Sequence, residues 1–200
     1  AELMRAAAGR LPAPFAGGVH VGRVEEYTAA APARHTYYVS PANSFGFMDG
    51  GIDLAYSRVM FPGVEPRVKE AIRALGWTTK LRRPYLPIGR ALVVPATGAA
   101  SLVVAPTMLL PQAVPETRNA FHAMAGVLQC VWGLRGDDSA ELVVPPLCCG
   151  YGRMRPADSA AQIVEAFAAA ATRGALVQQP IEVDAILREQ PKYYANTEWI

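Results

Sequence analysis

The stretch Thr36–Asp53, "TYYVSPANSFGFMDGGID", runs from an aromatic and β-branched segment into a loop that holds an Asn, two aromatics, a glycine pair and an Asp. "HTYYVS" reads as a strand. "IDLAYSRVMF", straight after Gly50 and Gly51, repeats apolar residues at helical spacing. A strand handed to a helix through such a loop is the junction at which ligands gather in an α/β sheet, outside the carboxyl ends of the strands. Glycines there allow positive φ and let backbone N–H groups approach a phosphate closely, without any lysine. Glycines also simply make turns, so one loop alone does not decide between a site and a connector.

Working outward, "VHVGRVEEY" (19–27) reads as an earlier strand, separated from "HTYYVS" by the small-residue segment "TAAAPAR". Downstream, "EPRVKEAIRALGW" opens with Glu65 and Pro66 and repeats apolar positions at Val68, Ile72 and Leu75, which predicts a second helix. "RALVVPAT" and "SLVVAPTM" are β-branched runs around the turn "GAA". "ETRNAFHAMAGVLQCVWGL" is helical in pattern with Gly126 as its weak point, "AELVVPPL" returns to strand, and "ADSAAQIVEAFAAAATR" is an Ala-rich helix. Val-rich strands alternating with helices imply a three-layer α/β/α sandwich around a central mixed, mostly parallel sheet. The expected organisation is a flexible or loosely docked lead-in over 1–14, one domain over 15–177, and a tail over 178–200 whose aromatics pack back onto the body.

Composition agrees with one globular domain: 200 residues, 52% of them hydrophobic, suffice for a real core. No apolar run reaches the roughly 18 residues that span a bilayer, and no signal-peptide core is visible, so no membrane association and a cytoplasmic location are expected. Three cysteines, two of them adjacent at 148 and 149, suit neither a disulfide framework nor a metal site and are expected to be reduced thiols. The net charge of +2 gives no support to nucleic-acid binding, and "KLRRPY" (80–85) reads as a solvated connector. His20, His35 and His122 stand at no metal spacing, so no metal and no cofactor are expected. A Cys-His hydrolase built on Cys148 or Cys149 with His122 has no motif behind it.

A second loop, "PPLCCGYGRM" (145–154), also lies between a strand and a helix, with Gly150 and Gly152 flanking Tyr151. Two Gly-bearing loops at one sheet edge argue for a ligand more strongly than either alone. Neither G-x-G-x-x-G after the first strand nor G-x-x-x-x-G-K-[ST] occurs, which disfavours a dinucleotide-binding dehydrogenase or a P-loop nucleotidase.

"SPANSFGFMDGGID" resembles the signature of macrodomains, the ADP-ribose-binding modules. In that family an Asn closing a strand is followed, after six intervening residues, by Gly-Gly, an aliphatic residue and Asp, here Asn43, Gly50, Gly51, Ile52 and Asp53. "VVPPLCCGYGRM" looks like the family's second phosphate loop, and "SLVVAPTM" sits where the family has a strand under the ligand. The resemblance covers roughly 19–173. It implies ADP-ribose or ADP-ribosylated proteins as partners, with Ala42, Asn43, Gly50, Gly51, Ile52 and Asp53 on one side of the ligand and Cys149, Gly150, Tyr151 and Gly152 on the other. By analogy with MacroD-type hydrolases it also implies catalytic roles, Asn43 at the distal ribose and Asp53 orienting or activating a water. The expected activity is hydrolysis of mono-ADP-ribose from acidic side chains, extending to deacetylation of O-acetyl-ADP-ribose; the alternative is a reader that binds without turnover.

Three departures from the family pattern stand out. Asp49 replaces a third Gly, Cys148-Cys149-Gly150 replaces a Ser-Thr-Gly type loop, and "VGRVEEY" offers Arg23, Glu25 and Glu26 where an adenine-binding Asp is usual. Each proposed residue also has a plainer role open to it: Asp53 in a helix's first turn suits the helix dipole, and Asn43 at a strand end suits capping of its own loop.

Overall fold

The computed structural model describes residues 2–12, 15, 17–27, 35–79, 82–132 and 140–173. The 178–200 tail and the "TAAAPAR" segment lie outside the described residues. In chain order the elements are α1 (Glu2–Ala8), a 3₁₀ turn (Val24–Glu26), β1 (Thr36–Ser40), α2 (Gly51–Ala55) continuing as a π-helical turn (Tyr56–Met60), α3 (Val64–Ala74), β2 (Leu92–Thr97), β3 (Ala100–Val104), α4 (Asn119–Trp132), β4 (Glu141–Val143) and α5 (Pro156–Arg173).

The four strands form one sheet in the order β2-β3-β1-β4. β1 runs parallel to both neighbours, pairing Thr36–Ser40 with Ala100–Val104 and Thr36–Tyr38 with Glu141–Val143. β2 closes an antiparallel hairpin on β3, with a register irregularity between Pro95 and Thr97. All five residues of β1 are buried, the pattern of a central strand covered on both faces.

Side-chain alternation along β1 and β3 sorts the core into two layers. Tyr37, Val39 and Val103 face Ala123, Met124 and Val127 of α4 with Ala166, Phe167 and Ala170 of α5. Tyr38, Leu102 and Val104 face Tyr56, Phe61, Val64, Val68 and Ile72. The expected three-layer α/β/α arrangement is therefore present. Gly126 fits close packing: a Cβ there would lie 2.8 Å from the Gly89 carbonyl oxygen, so only a glycine lets α4 reach that backbone.

Two places differ from the sequence reading. "VHVGRVEEY" is no strand: the Arg23 amide donates to Glu26 Oε2 and Arg23 pairs with Glu25 at 2.8 Å, curling the chain into a 3₁₀ turn. Val24 and Tyr27, three apart, face the core while Val21 is 61% exposed, which is the period of a tight turn and not of a strand. Leu75 lies past the end of α3 and is exposed. The lead-in carries α1, whose Ala7 is buried, and Phe15 sets its ring edge-on to Phe167 at 4.7 Å. Among the described residues no helix is long and apolar enough to cross a membrane.

Candidate functional site

Because β3, β1 and β4 are parallel neighbours, the loops that leave their carboxyl ends, 41–50, 105–118 and 144–155, meet at one edge of the sheet. The first and third are the Gly-bearing loops singled out above. The second, after β3, was not, and it is the one that ties the others together. The Thr107 amide donates to the Ala42 carbonyl at 3.0 Å and its hydroxyl to the Pro41 carbonyl at 2.9 Å. Asn119 Nδ2 holds the Thr107 carbonyl at 2.9 Å, and the Val114 amide donates to the Gly152 carbonyl at 2.7 Å. Thr107 carries no spacing signal in the sequence; its role comes from strands that are remote along the chain.

The first loop is shaped by Asn43. Its Oδ1 accepts from the amides of Phe45 at 3.0 Å and Phe47 at 3.4 Å, and its Nδ2 donates to the Phe47 carbonyl at 3.1 Å. The side chain is buried, so its polar atoms are spent on its own loop, the plainer of the two roles open to it. A contact from Asn43 to a ribose would compete with these three bonds. Ala42 is likewise buried, and its carbonyl is taken by Thr107. The loop's tip carries Phe47, 44% exposed, with the Lys69 ammonium 4.6 Å from the ring centroid.

Gly50 and Gly51 are exposed, and a Cβ on either would meet nothing within 4 Å. The space above them is open to a ligand, and Gly51, at φ +55°, adopts a backbone that other residues resist. Ile52 turns toward the core of the α2 and α3 layer. Asp53 follows in the first turn of α2, partly buried, its Oδ1 accepting a hydrogen bond from Ser40 Oγ at 2.5 Å. Burial pushes its carboxyl up to about 7, against which the Ser40 hydroxyl acts by favouring the charged form. Ser40, the last residue of β1 and fully buried, escaped the sequence reading because a hydroxyl at a strand end is an ordinary sight.

In the third loop the glycines have different duties. Gly150 is exposed with open space at its Cβ position, whereas a Cβ on Gly152 would lie 2.5 Å from the Cys148 carbonyl oxygen and 3.0 Å from Val114 Cγ2. Gly152 is thus demanded by packing between two loops and not by the approach of a ligand. Tyr151 between them is 71% exposed and its ring is available to a flat partner. Cys148 is buried with φ +63°, its thiol pushed up to about 12, and burial also raises the partly buried Cys149, whose Sγ donates to the Leu147 carbonyl at 3.4 Å. Both shifts oppose formation of the thiolate that a cysteine nucleophile needs.

A separate concavity of about 600 Å³ lies along the π-helical turn and α3 and is lined by no residue of the three loops. Lys69 pairs with Glu65 and Arg73 with Glu70 on its wall, so those charges are already matched.

By sequence, no family model and no curated protein matches the chain. Solved structures do. The macrodomain of Mycobacterium tuberculosis DarG is similar over 72% of this chain and 89% of its own length, with a TM-score of 0.54 and 22% identity. A mutant Oceanobacillus iheyensis macrodomain with ADPR is similar over 73% of each chain, with a TM-score of 0.51 and 13% identity. The chain has the macrodomain fold.

Proposed function

We propose that this protein binds ADP-ribose across the carboxyl edge of its sheet and hydrolyses the ester joining mono-ADP-ribose to acidic side chains of proteins. The observation that carries the reading is the run from Gly50 to Asp53: two glycines with open space above them, followed at once by a carboxyl anchored to the end of β1. The glycine backbones, with Gly150 opposite, supply N–H groups to a diphosphate, which explains how a chain of net charge +2 can hold a dianion without a lysine cluster. Tyr151 supplies a flat face to a sugar.

In this reading Asp53, as the carboxylate, takes a proton from a water while the water oxygen attacks the anomeric carbon. The bond from that carbon to the ester oxygen breaks and the substrate carboxylate leaves with the electron pair, needing no proton. The proton on Asp53 then passes to solvent. A carboxyl raised to about 7 is a better base than an ordinary Asp while still charged in a large fraction of molecules at neutral pH. The same activated water can serve the deacetylation of O-acetyl-ADP-ribose if it attacks the acetyl carbonyl carbon instead: the bond from that carbon to the ribose oxygen breaks, and the proton taken by Asp53 passes to the leaving ribose oxygen.

A second reading, binding without turnover, is favoured by Asn43, whose side chain is engaged within its own loop. The two separate in one experiment: release of ADP-ribose from a protein mono-ADP-ribosylated on Asp or Glu, run beside calorimetric titration of free ADP-ribose. We expect release by the wild type and none by Asp53→Asn, with affinities within about tenfold of each other, about 1.4 kcal/mol. Binding without release makes the protein a reader; absence of both ends the ADP-ribose reading.

A further inference from the structure

We propose that Ser40 is a positioning residue for Asp53, its hydroxyl fixing the carboxyl in the orientation that the reaction requires; the catalytic part of this rests on the hydrolase reading above. Among the described residues the Ser40 hydroxyl is the one hydrogen-bond partner of the Asp53 carboxyl, at 2.5 Å. With Oδ1 held, Oδ2 is the oxygen left to take a water.

The two residues belong to elements of unequal rigidity. Ser40 ends a fully buried central strand, and its carbonyl accepts from the Ala105 amide at 3.0 Å, which locks it to the neighbouring β3 end. On the amino side of Asp53, Asp49, Gly50 and Gly51 are exposed, while Ile52 packs on the α2 and α3 layer and the Leu54 amide donates to the Gly50 carbonyl at 3.2 Å. On its carboxyl side the Tyr56 hydroxyl donates to the Val39 carbonyl at 3.2 Å, which anchors the π-helical turn to the same strand. These contacts hold the backbone around Asp53, and the Ser40 hydroxyl is the contact that holds the carboxyl itself.

The charge environment gives Ser40 a second consequence. The Tyr56 phenol, anchored on the same strand, is raised by its burial and then by the Asp53 carboxyl, Tyr38 and Glu25, the last itself paired with Arg23. Burial raises the Asp53 carboxyl, and the Ser40 hydroxyl is the contact that works against it. A hydroxyl can donate to a carboxylate or accept from a carboxylic acid, so the contact survives either charge state.

The test compares wild type, Ser40→Ala, Ser40→Thr, which keeps the hydroxyl, and Ser40→Cys, which fills the volume with a weaker donor. The Asp53 carboxyl is titrated by carbon-13 NMR, with Asp53→Asn identifying its signal, and the pH profile of ADP-ribose release is recorded on the same proteins. We expect Ser40→Ala and Ser40→Cys to move the Asp53 midpoint upward by about one pH unit. Release at pH 7 should fall about fivefold, recover as pH rises, and leave ADP-ribose affinity within threefold, with Ser40→Thr close to wild type. An Asp53 midpoint that stays put in both Ser40→Ala and Ser40→Cys overturns the inference, whatever the rates do. A wild type that releases no ADP-ribose sinks the hydrolase reading instead, and the titration, which needs no substrate, still decides whether Ser40 controls Asp53.

Discussion

Asp53 combines a poor place for a charge with a single hydrogen bond to support it. Its folded-state carboxyl sits at about 7 against 3.8 ordinarily, so the folded protein holds the proton more tightly than the unfolded chain does. The sign follows: the stability this group contributes is fully present below about pH 4 and is lost as pH rises through 7. At 1.36 kcal/mol per unit, the loss between pH 5 and pH 8 amounts to roughly 2 to 3 kcal/mol. Asp53→Asn keeps an acceptor for Ser40 and carries no charge, so its urea-unfolding free energy should vary less over that interval by this amount. Equal pH dependence in mutant and wild type would mean that Asp53 is not desolvated. A residue that costs the fold stability at neutral pH is one whose presence calls for a reason other than stability.

At the scale of elements, the glycine-bearing loops divide into positions open to a ligand and positions closed by packing. Gly152→Ala would drive a methyl against the Cys148 carbonyl and Val114, with backbone on one side that cannot swing away. We expect it to destabilise the fold by about 1–3 kcal/mol in urea unfolding. Gly150→Ala meets nothing and should leave stability within about 0.5 kcal/mol while weakening ADP-ribose binding in calorimetry. The opposite ranking would reverse the duties given to the two residues. The sequence could not have told them apart, since both read as loop glycines and the difference lies in the Cys148 carbonyl, which the loop's own fold brings to 2.5 Å, and in Val114 from the loop after β3. What was legible came from periodicity: the Val-rich strands and the helices beginning near 51, 64, 119 and 156 are where the patterns put them. Misplaced was "VHVGRVEEY", where a local ion pair and core contacts three residues apart override strand-like composition. At the site, the spacing from Asn43 to Asp53 singled out one of the loops that meet at the carboxyl edge of the sheet. Which of its residues faces inward depends on hydrogen bonds that no spacing encodes.

At the scale of the whole molecule, the edge where these loops meet is the place at which both core layers come together. Asp53 is carried by the α2 side of the sheet, while the loop of Gly150 and Tyr151 leads into α5 on the other face. A ligand spanning the two loops binds the folded chain and not the unfolded one, so it should raise the thermal midpoint by mass action, by about 2.7 kcal/mol of stability at a hundredfold excess over Kd. The diphosphate of ADP-ribose is esterified at both ends and keeps its two charges throughout pH 6 to 8, so any pH dependence in that range belongs to the protein. In the proposed binding mode Asp53 lies beside the phosphates, where its carboxylate form would repel them and its protonated form would not. ADP-ribose should therefore raise the midpoint more at pH 6 than at pH 8, and the difference should vanish in Asp53→Asn. Turnover should run the other way, rising with pH as the base becomes charged. Binding that strengthens in acid while catalysis strengthens in base, both through one carboxyl, is a pattern that neither a reader with a remote Asp nor a purely structural Asp53 would produce; a midpoint increment equal at the two pH values would place the ligand away from Asp53.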